Sequence, residues 1–331
     1  MAKQKSKKSN VLIEARGLTK WYGDVCAVDN VNFNVNRGEV VGFLGPNGAG
    51  KTTTMKMIIS FIAPTSGYVK VAGHDTLTDS MHVRRSIGYL PEETPLYRDM
   101  SVLEFLRFTS EIREIPKDES SKRIGDISKV CGLSAVMGRP IGELSKGYRQ
   151  RVGLAQAMIH DPDIVILDEP WTGLDPNQIT DVRRLIKELG KDKTVLLSTH
   201  ILAEVEAVCD RVVVIDRGKI VADDIPEALI EKKGEVRYKL RVENGEGVGA
   251  LKGVLQKISG VDSVEIDKVG EETLFALTGK IGNAPNEREI LEAFKSSPAK
   301  LLSIRHSKSS LEDVFRKMTV GDRVEIGVKA S

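Results

Sequence analysis

With 331 residues, 40% of them hydrophobic, the chain has material for two domains with ordinary cores and does not read as a disordered polymer. Its 49 basic residues nearly balance 47 acidic ones, so the formal charge of +2 gives no electrostatic reason to expect nucleic acid as a partner. Three scattered cysteines, Cys26, Cys131 and Cys209, argue against a disulfide scaffold and fit a reduced cytoplasmic protein, and no apolar run approaches the ~20 residues that span a bilayer.

The first segment, 1–10, is a basic tail carrying Lys3, Lys5, Lys7 and Lys8, expected to be solvated and disordered. Residues 11–16 and the alternating run 31–36 read as strands, with Trp21-Tyr22-Gly23-Asp24 as the turn region between them. Tyr22 is a candidate for stacking on a nucleotide base, and equally a surface aromatic that packs on its neighbours.

Residues 39–44 form a short apolar strand, and 53–59 read as a helix. Between them stands Gly45-Pro46-Asn47-Gly48-Ala49-Gly50-Lys51-Thr52-Thr53, two glycines four residues apart followed by Lys-Thr. Such a loop turns its backbone N–H groups onto phosphates and adds the positive end of the following helix. Lys51 is expected to reach the β- and γ-phosphates and the Thr52 hydroxyl to face Mg²⁺.

After a loop at 63–67, strands are expected at 68–72 and 87–90. Apolar residues Val102, Phe105, Leu106 and Ile112 then recur at helical spacing across 101–114, with helix-like sequence through Cys131, so a helical insertion occupies about 93–160. Ser145 is a suitable N-cap for its last helix, 148–160.

The apolar strand 164–167 ends directly in Asp168-Glu169. In open α/β sheets ligands bind at the carboxyl ends of strands, so the pair belongs at the phosphate loop. On an extended strand adjacent side chains point to opposite sides, which predicts separate roles. Asp168 is assigned to Mg²⁺, directly or through water, and Glu169 to the attacking water. Strand 194–198 delivers Thr199-His200 to the same edge, making His200 a γ-phosphate candidate, and a hairpin turns at Arg217-Gly218.

Residues 224–235 read as a linker with a short helix at 226–232. Beyond it, over 236–331, the order of predicted elements is β-α-β-β-α-β plus a last helix at 310–318, a ferredoxin-like α+β arrangement. No grouping of nucleophile, base and oxyanion donor appears there, so docking or regulation is expected of it.

Taken in order, these motifs resemble the ATP-binding subunits of ABC transporters, over 11–223 strongly, and in particular the ABC-2 type exporter ATPases with a C-terminal extension. Leu144-Ser145-Lys146-Gly147-Tyr148-Arg149-Gln150-Arg151 is similar to the family's signature motif, 164–169 to Walker B, Leu174-Asp175 to the D-loop and His200 to the switch histidine. The resemblance implies a phosphate-loop α/β cassette with an antiparallel β subdomain and a helical insertion, binding ATP and Mg²⁺. It also implies two subunits, a homodimer in the simplest case, that sandwich ATP with Ser145 and Gly147 of one completing the site of the other, and it counts Asp175 of the D-loop among the ATP-binding residues. ABC-2 type permease subunits would hold it at the inner face of the cell membrane. Two positions depart from the family pattern. Glu92 stands where Gln is usual, still able to ligate Mg²⁺ but adding negative charge, and Lys146 and Tyr148 replace the frequent Gly and Gln. A cassette ATPase acting on ribosomes or DNA is the other class compatible with the motifs, although one cassette without a coiled-coil or zinc insertion fits it poorly.

Overall fold

The computed structural model describes residues 10–324 apart from 246, 270 and 271, so the expected tail lies outside the described residues except for Asn10. Between Asp223 and Asp224 the chain divides into two compact units.

The first unit begins with β1 (Val11–Tyr22), β2 (Val25–Asn36), β3 (Val40–Leu44), α1 (Lys51–Ile58), β4 (Ser66–Val71), β5 (His74–Asp75), α2 (Ser80–Ser86) and β6 (Ile87–Leu90). It continues with α3 (Val102–Ile112), α4 (Lys117–Val130), α5 (Lys146–Met158), β7 (Ile164–Asp168), α6 (Pro176–Gly190), β8 (Thr194–Thr199), α7 (Leu202–Val208), β9 (Arg211–Asp216) and β10 (Lys219–Asp224). Two sheets result. One is antiparallel in the order β2-β1-β4-β5, and the other has the order β10-β9-β3-β8-β7-β6, with β9 through β6 parallel.

The central residues of the parallel strands are apolar and buried because both faces are covered. Side chains alternate between them: Val165 and Leu167 enter the core shared with the helical insertion and α6, whereas Ile164 and Ile166 enter the core shared with the antiparallel sheet. Phe33 of β2 meets Phe43 of β3 there, with ring centroids 5.4 Å apart. The register then aligns the strand ends. Leu44 lies opposite Thr199, Asp168 opposite Ser198 and Leu90 opposite Leu167, so the loops after β3, β6, β7 and β8 leave from one edge.

Some elements differ from the sequence expectation. Trp21 and Tyr22 are not in a turn: they stay in β1, paired with Cys26 and Val25, because Gly23 at φ 56° makes the reversal later. Helix α6, not anticipated from the sequence, is capped by Asp175, whose side chain accepts the Gln178 N–H, and has Pro176 at its first position. Its Val182, Leu185, Ile186 and Leu189 form one buried stripe, each worth roughly 1.5–3 kcal/mol when removed from water.

The second unit contains α8 (Pro226–Lys233), β11 (Glu235–Glu243), α9 (Val248–Leu255), β12 (Ser263–Val269), β13 (Glu272–Lys280), α10 (Glu287–Lys295), β14 (Leu301–Lys308) and α11 (Leu311–Val324). Its sheet runs β12-β13-β11-β14, antiparallel at every pairing, which is the ferredoxin-like order. Strand β11 alternates strictly: Val236, Tyr238, Leu240 and Val242 are buried beneath α9 and α10, while Arg237, Lys239 and Arg241 face solvent. The short helix expected within the linker 224–235 forms as α8 and packs against α11 of this unit, with Leu229 buried.

Candidate active site

The loop after β3 is shaped by backbone that only glycine accepts readily. Gly50 caps α1 at φ 105°, and a Cβ there would lie 2.5 Å from the Ala27 carbonyl oxygen. The Ala49 N–H bonds the Pro46 carbonyl at 3.1 Å, and the Gly218 N–H bonds the Ala49 carbonyl at 2.9 Å, fixing the loop against the β9–β10 turn. Asn47 and Gly48 stay exposed at its crest, and Thr53 lies in the first turn of α1. Lys51 is buried, with Nζ donating to the carbonyls of Gly45 at 2.8 Å and Pro46 at 3.3 Å.

Both acidic residues after β7 reach this loop. The Thr52 hydroxyl donates to Asp168 Oδ1 at 3.4 Å, and the Lys51 ammonium pairs with Glu169 Oε1 at 3.3 Å. The strand alternation expected of the pair therefore fails. Glu169 has left the strand at φ 47°, a left-handed conformation that costs a residue with a Cβ on the order of 1–2 kcal/mol and rotates its carboxylate toward the same crevice. Its N–H is anchored by the Ser198 hydroxyl at 3.0 Å and the Ser198 carbonyl at 3.2 Å. His200, half exposed, places Nδ1 2.9 Å from Glu169 Oε2. One carboxylate oxygen thus faces Lys51 and the other His200.

Two further residues complete the setting of Asp168. The Ser198 hydroxyl donates to Asp168 Oδ1, and the Tyr89 hydroxyl is held protonated by burial and by the adjacent Asp168 carboxylate. Neither was singled out from sequence, although the pairing of β7 with β8 brings Ser198 opposite Asp168. The hydroxyl of Thr52 and the carboxylate of Asp168 form an all-oxygen donor set, the kind Mg²⁺ takes.

The remaining candidates lie elsewhere. Glu92 does not hydrogen-bond to Thr52 or Asp168, but its charge is felt at the Tyr89 hydroxyl beside Asp168, and it lines a cleft of about 370 Å³ with Arg98, Lys146 and Arg149. Tyr22 presents an exposed ring at the end of β1, with Lys20 Nζ 5.3 Å from its centroid. Ser145 caps α5, accepting the Tyr148 N–H at 3.3 Å, and Gly147 abuts Gln178 of α6. The helix they start packs on β6, three strands away from β3 in the sheet order. Asp175 serves as the cap of α6.

Known proteins with this arrangement were found by sequence and by fold. The ABC transporter family model matches residues 28–172. The bacitracin transport ATP-binding protein BcrA of Bacillus licheniformis is 32% identical over 95% of this chain and 99% of its own length. The Nod factor export ATP-binding protein I of Burkholderia orbicola is 32% identical over 93% and 96%, respectively. A dimeric bacterial ABC transporter cassette superposes with a TM-score of 0.60 at 28% identity, covering 65% of this chain and 98% of that one.

Proposed function

The chain belongs to the ABC transporter ATP-binding proteins, and from that premise we propose that it is the ATP-hydrolysing subunit of an ABC-2 type exporter, driving a cargo through separate membrane subunits. The observation that carries the reading is the placement of Glu169 between Lys51 and His200 at the glycine-rich loop.

The reaction is ATP and water to ADP and phosphate. A triphosphate seated in the loop competes with Glu169 for the Lys51 ammonium, since a charged donor on a polyanion is stronger than on one carboxylate. Released on that side, Glu169 accepts a hydrogen bond from the attacking water and takes its proton. Its strained backbone and the Ser198 bonds hold the carboxylate in one direction. His200, bonded to the other oxygen, is assigned to the γ-phosphate. Thr52 and Asp168 are the residues to hold Mg²⁺, which offsets phosphate charge when bound, and Ser198 and Tyr89 orient Asp168 for that task. We assign Tyr22 to the base and the loop from Gly45 to Thr53 to the phosphates.

We assign Ser145 and Gly147, which start a helix packed on β6 at the far end of the sheet from β10, together with Asp175 to the site of a second copy. The dimeric relative supports this arrangement. An apolar cleft of about 770 Å³ between α2, α3 and the loop after β6 suits a segment of a membrane subunit; it is lined by Phe61, Met81, Tyr97, Phe105, Phe108 and Ile112, of which Phe61 is 71% exposed. Such docking would place the chain at the inner face of the cell membrane. Among the described residues no helix is long and apolar enough to cross a membrane.

The test is capture. A tagged Glu169→Gln chain, purified with ATP from membranes dissolved in mild detergent, is expected to bring with it a protein of several hydrophobic spans. Ribosomes or DNA-processing proteins without any membrane protein would overturn the exporter reading.

A further inference from the structure

Three potential metal ligands meet at the β5 edge of the antiparallel sheet. His74 stands on β5, Asp79 is the N-cap of α2, and His82 follows in the first turn of that helix. His74 Nδ1 lies 2.5 Å from one oxygen of Asp79, and His82 Nδ1 bonds the other oxygen. The two imidazoles stack with centroids 4.9 Å apart and planes 11° from parallel. Two of the chain's five histidines thus share one carboxylate.

From this geometry we propose that His74, Asp79 and His82 bind a divalent transition metal of the zinc class. Their donor atoms all lie within 4.8 Å of one another. Zn²⁺ with ligand bonds of ~2.0–2.1 Å needs tetrahedral donors roughly 3.4 Å apart, so small side-chain rotations close the site. Those rotations are open to it, because His74 and Asp79 are partly exposed and His82 is more than half exposed. Three protein ligands leave a fourth position for water. The donor set selects the metal class: two imidazoles and one carboxylate suit Zn²⁺, Co²⁺, Ni²⁺ or Cu²⁺ and disfavour Mg²⁺ and Ca²⁺, which take oxygen.

The backbone between the ligands is already organised. Asp75 Oδ1 accepts the N–H groups of Leu77 at 2.8 Å and Thr78 at 3.2 Å, and the Asp75 carbonyl accepts the Asp79 N–H at 2.9 Å. The turn therefore returns Asp79 to His74 without help from the ion. A bound ion would tie β5 to α2. Since Met81, Arg84 and Arg85 of α2 line the apolar cleft, occupancy would stiffen one wall of it.

The experiment uses the full chain, stripped with chelator and titrated with Co²⁺ in millimolar Mg²⁺, which occupies oxygen-only sites. The expected result is one Co²⁺ per chain with visible d–d bands of a four-coordinate ion, displaced by Zn²⁺. The His74→Gln/His82→Gln double variant is expected to lose affinity by more than the ~10–100-fold typical of removing an outer-shell partner, while its ATP affinity, the check on folding, stays unchanged. A wild-type chain without these bands, or equal Co²⁺ affinity in the two chains, overturns the proposal and leaves a hydrogen-bonded surface cluster. The wild-type spectrum decides even if the double variant does not fold.

Discussion

The six-stranded sheet of the first unit and the four-stranded sheet of the second are both built from apolar strands backed by helices, yet candidate chemistry gathers only on the first. Strand direction accounts for the contrast. Parallel strands send four neighbouring loops out of one edge, so Lys51, Glu92, Glu169 and His200 all leave from the same side, and three of the four meet. In the antiparallel sheet successive strands end at opposite edges, and the polar residues of β11 alternate outward to make ion pairs such as Arg241 with Glu272. One sheet concentrates functional groups and the other spreads them over a solvated face.

That contrast can be broken by substitution. The largest effect is expected from Glu169→Gln, which should slow phosphate release by about 10²–10⁴-fold while ATP binding persists. Equal turnover in mutant and wild type would remove Glu169 from its role. Leu240→Ala, in the fully buried interior of the second sheet, should destabilise that unit by about 2–5 kcal/mol in a urea titration and leave phosphate release per folded chain unchanged. A changed rate would mean that the second unit controls the site. Lys51→Ala removes a charged hydrogen-bond donor worth about 1.5–3 kcal/mol, so equilibrium titration should show ATP affinity reduced by roughly 10–100-fold. Unaltered affinity would take Lys51 out of the phosphate site. The smallest change is expected from Asp175→Ala, which deletes the α6 cap: about 1 kcal/mol of stability in thermal melts of the first unit.

The parts of this architecture that were legible in sequence are those whose physics is local. Glycines at fixed spacing before Lys51, an apolar strand ending in two acids, and Ser145 ahead of a helix each state their geometry within a few residues. The β-α-β-β-α-β order of the second unit was readable for the same reason, since Val236, Tyr238, Leu240 and Val242 alternate plainly. Ser198 and Tyr89 were not read because their importance arises from strand register, which joins residues far apart in the chain. The direction of Glu169 was misjudged because nothing in a glutamate announces a positive φ. Helix α6 was a different kind of omission: Asp175-Pro176 and the stripe through Val182, Leu185, Ile186 and Leu189 carried the local signal.

Gly147 has no space in front of it. A Cβ there would come within 2.6 Å of the Gln178 side chain, so the first turns of α5 and α6 meet through the amide end of that glutamine. Arg151 of α5 also pairs with Asp181 of α6, so the two helices are joined at a second point one turn further on. The loop from Pro170 to Leu174 runs from Glu169 to the start of α6, and its Trp171 is buried against the core at 1% exposure. The helical insertion and the strand end that aims the acid are therefore separated by only this short stretch of chain and the contact between the two helices.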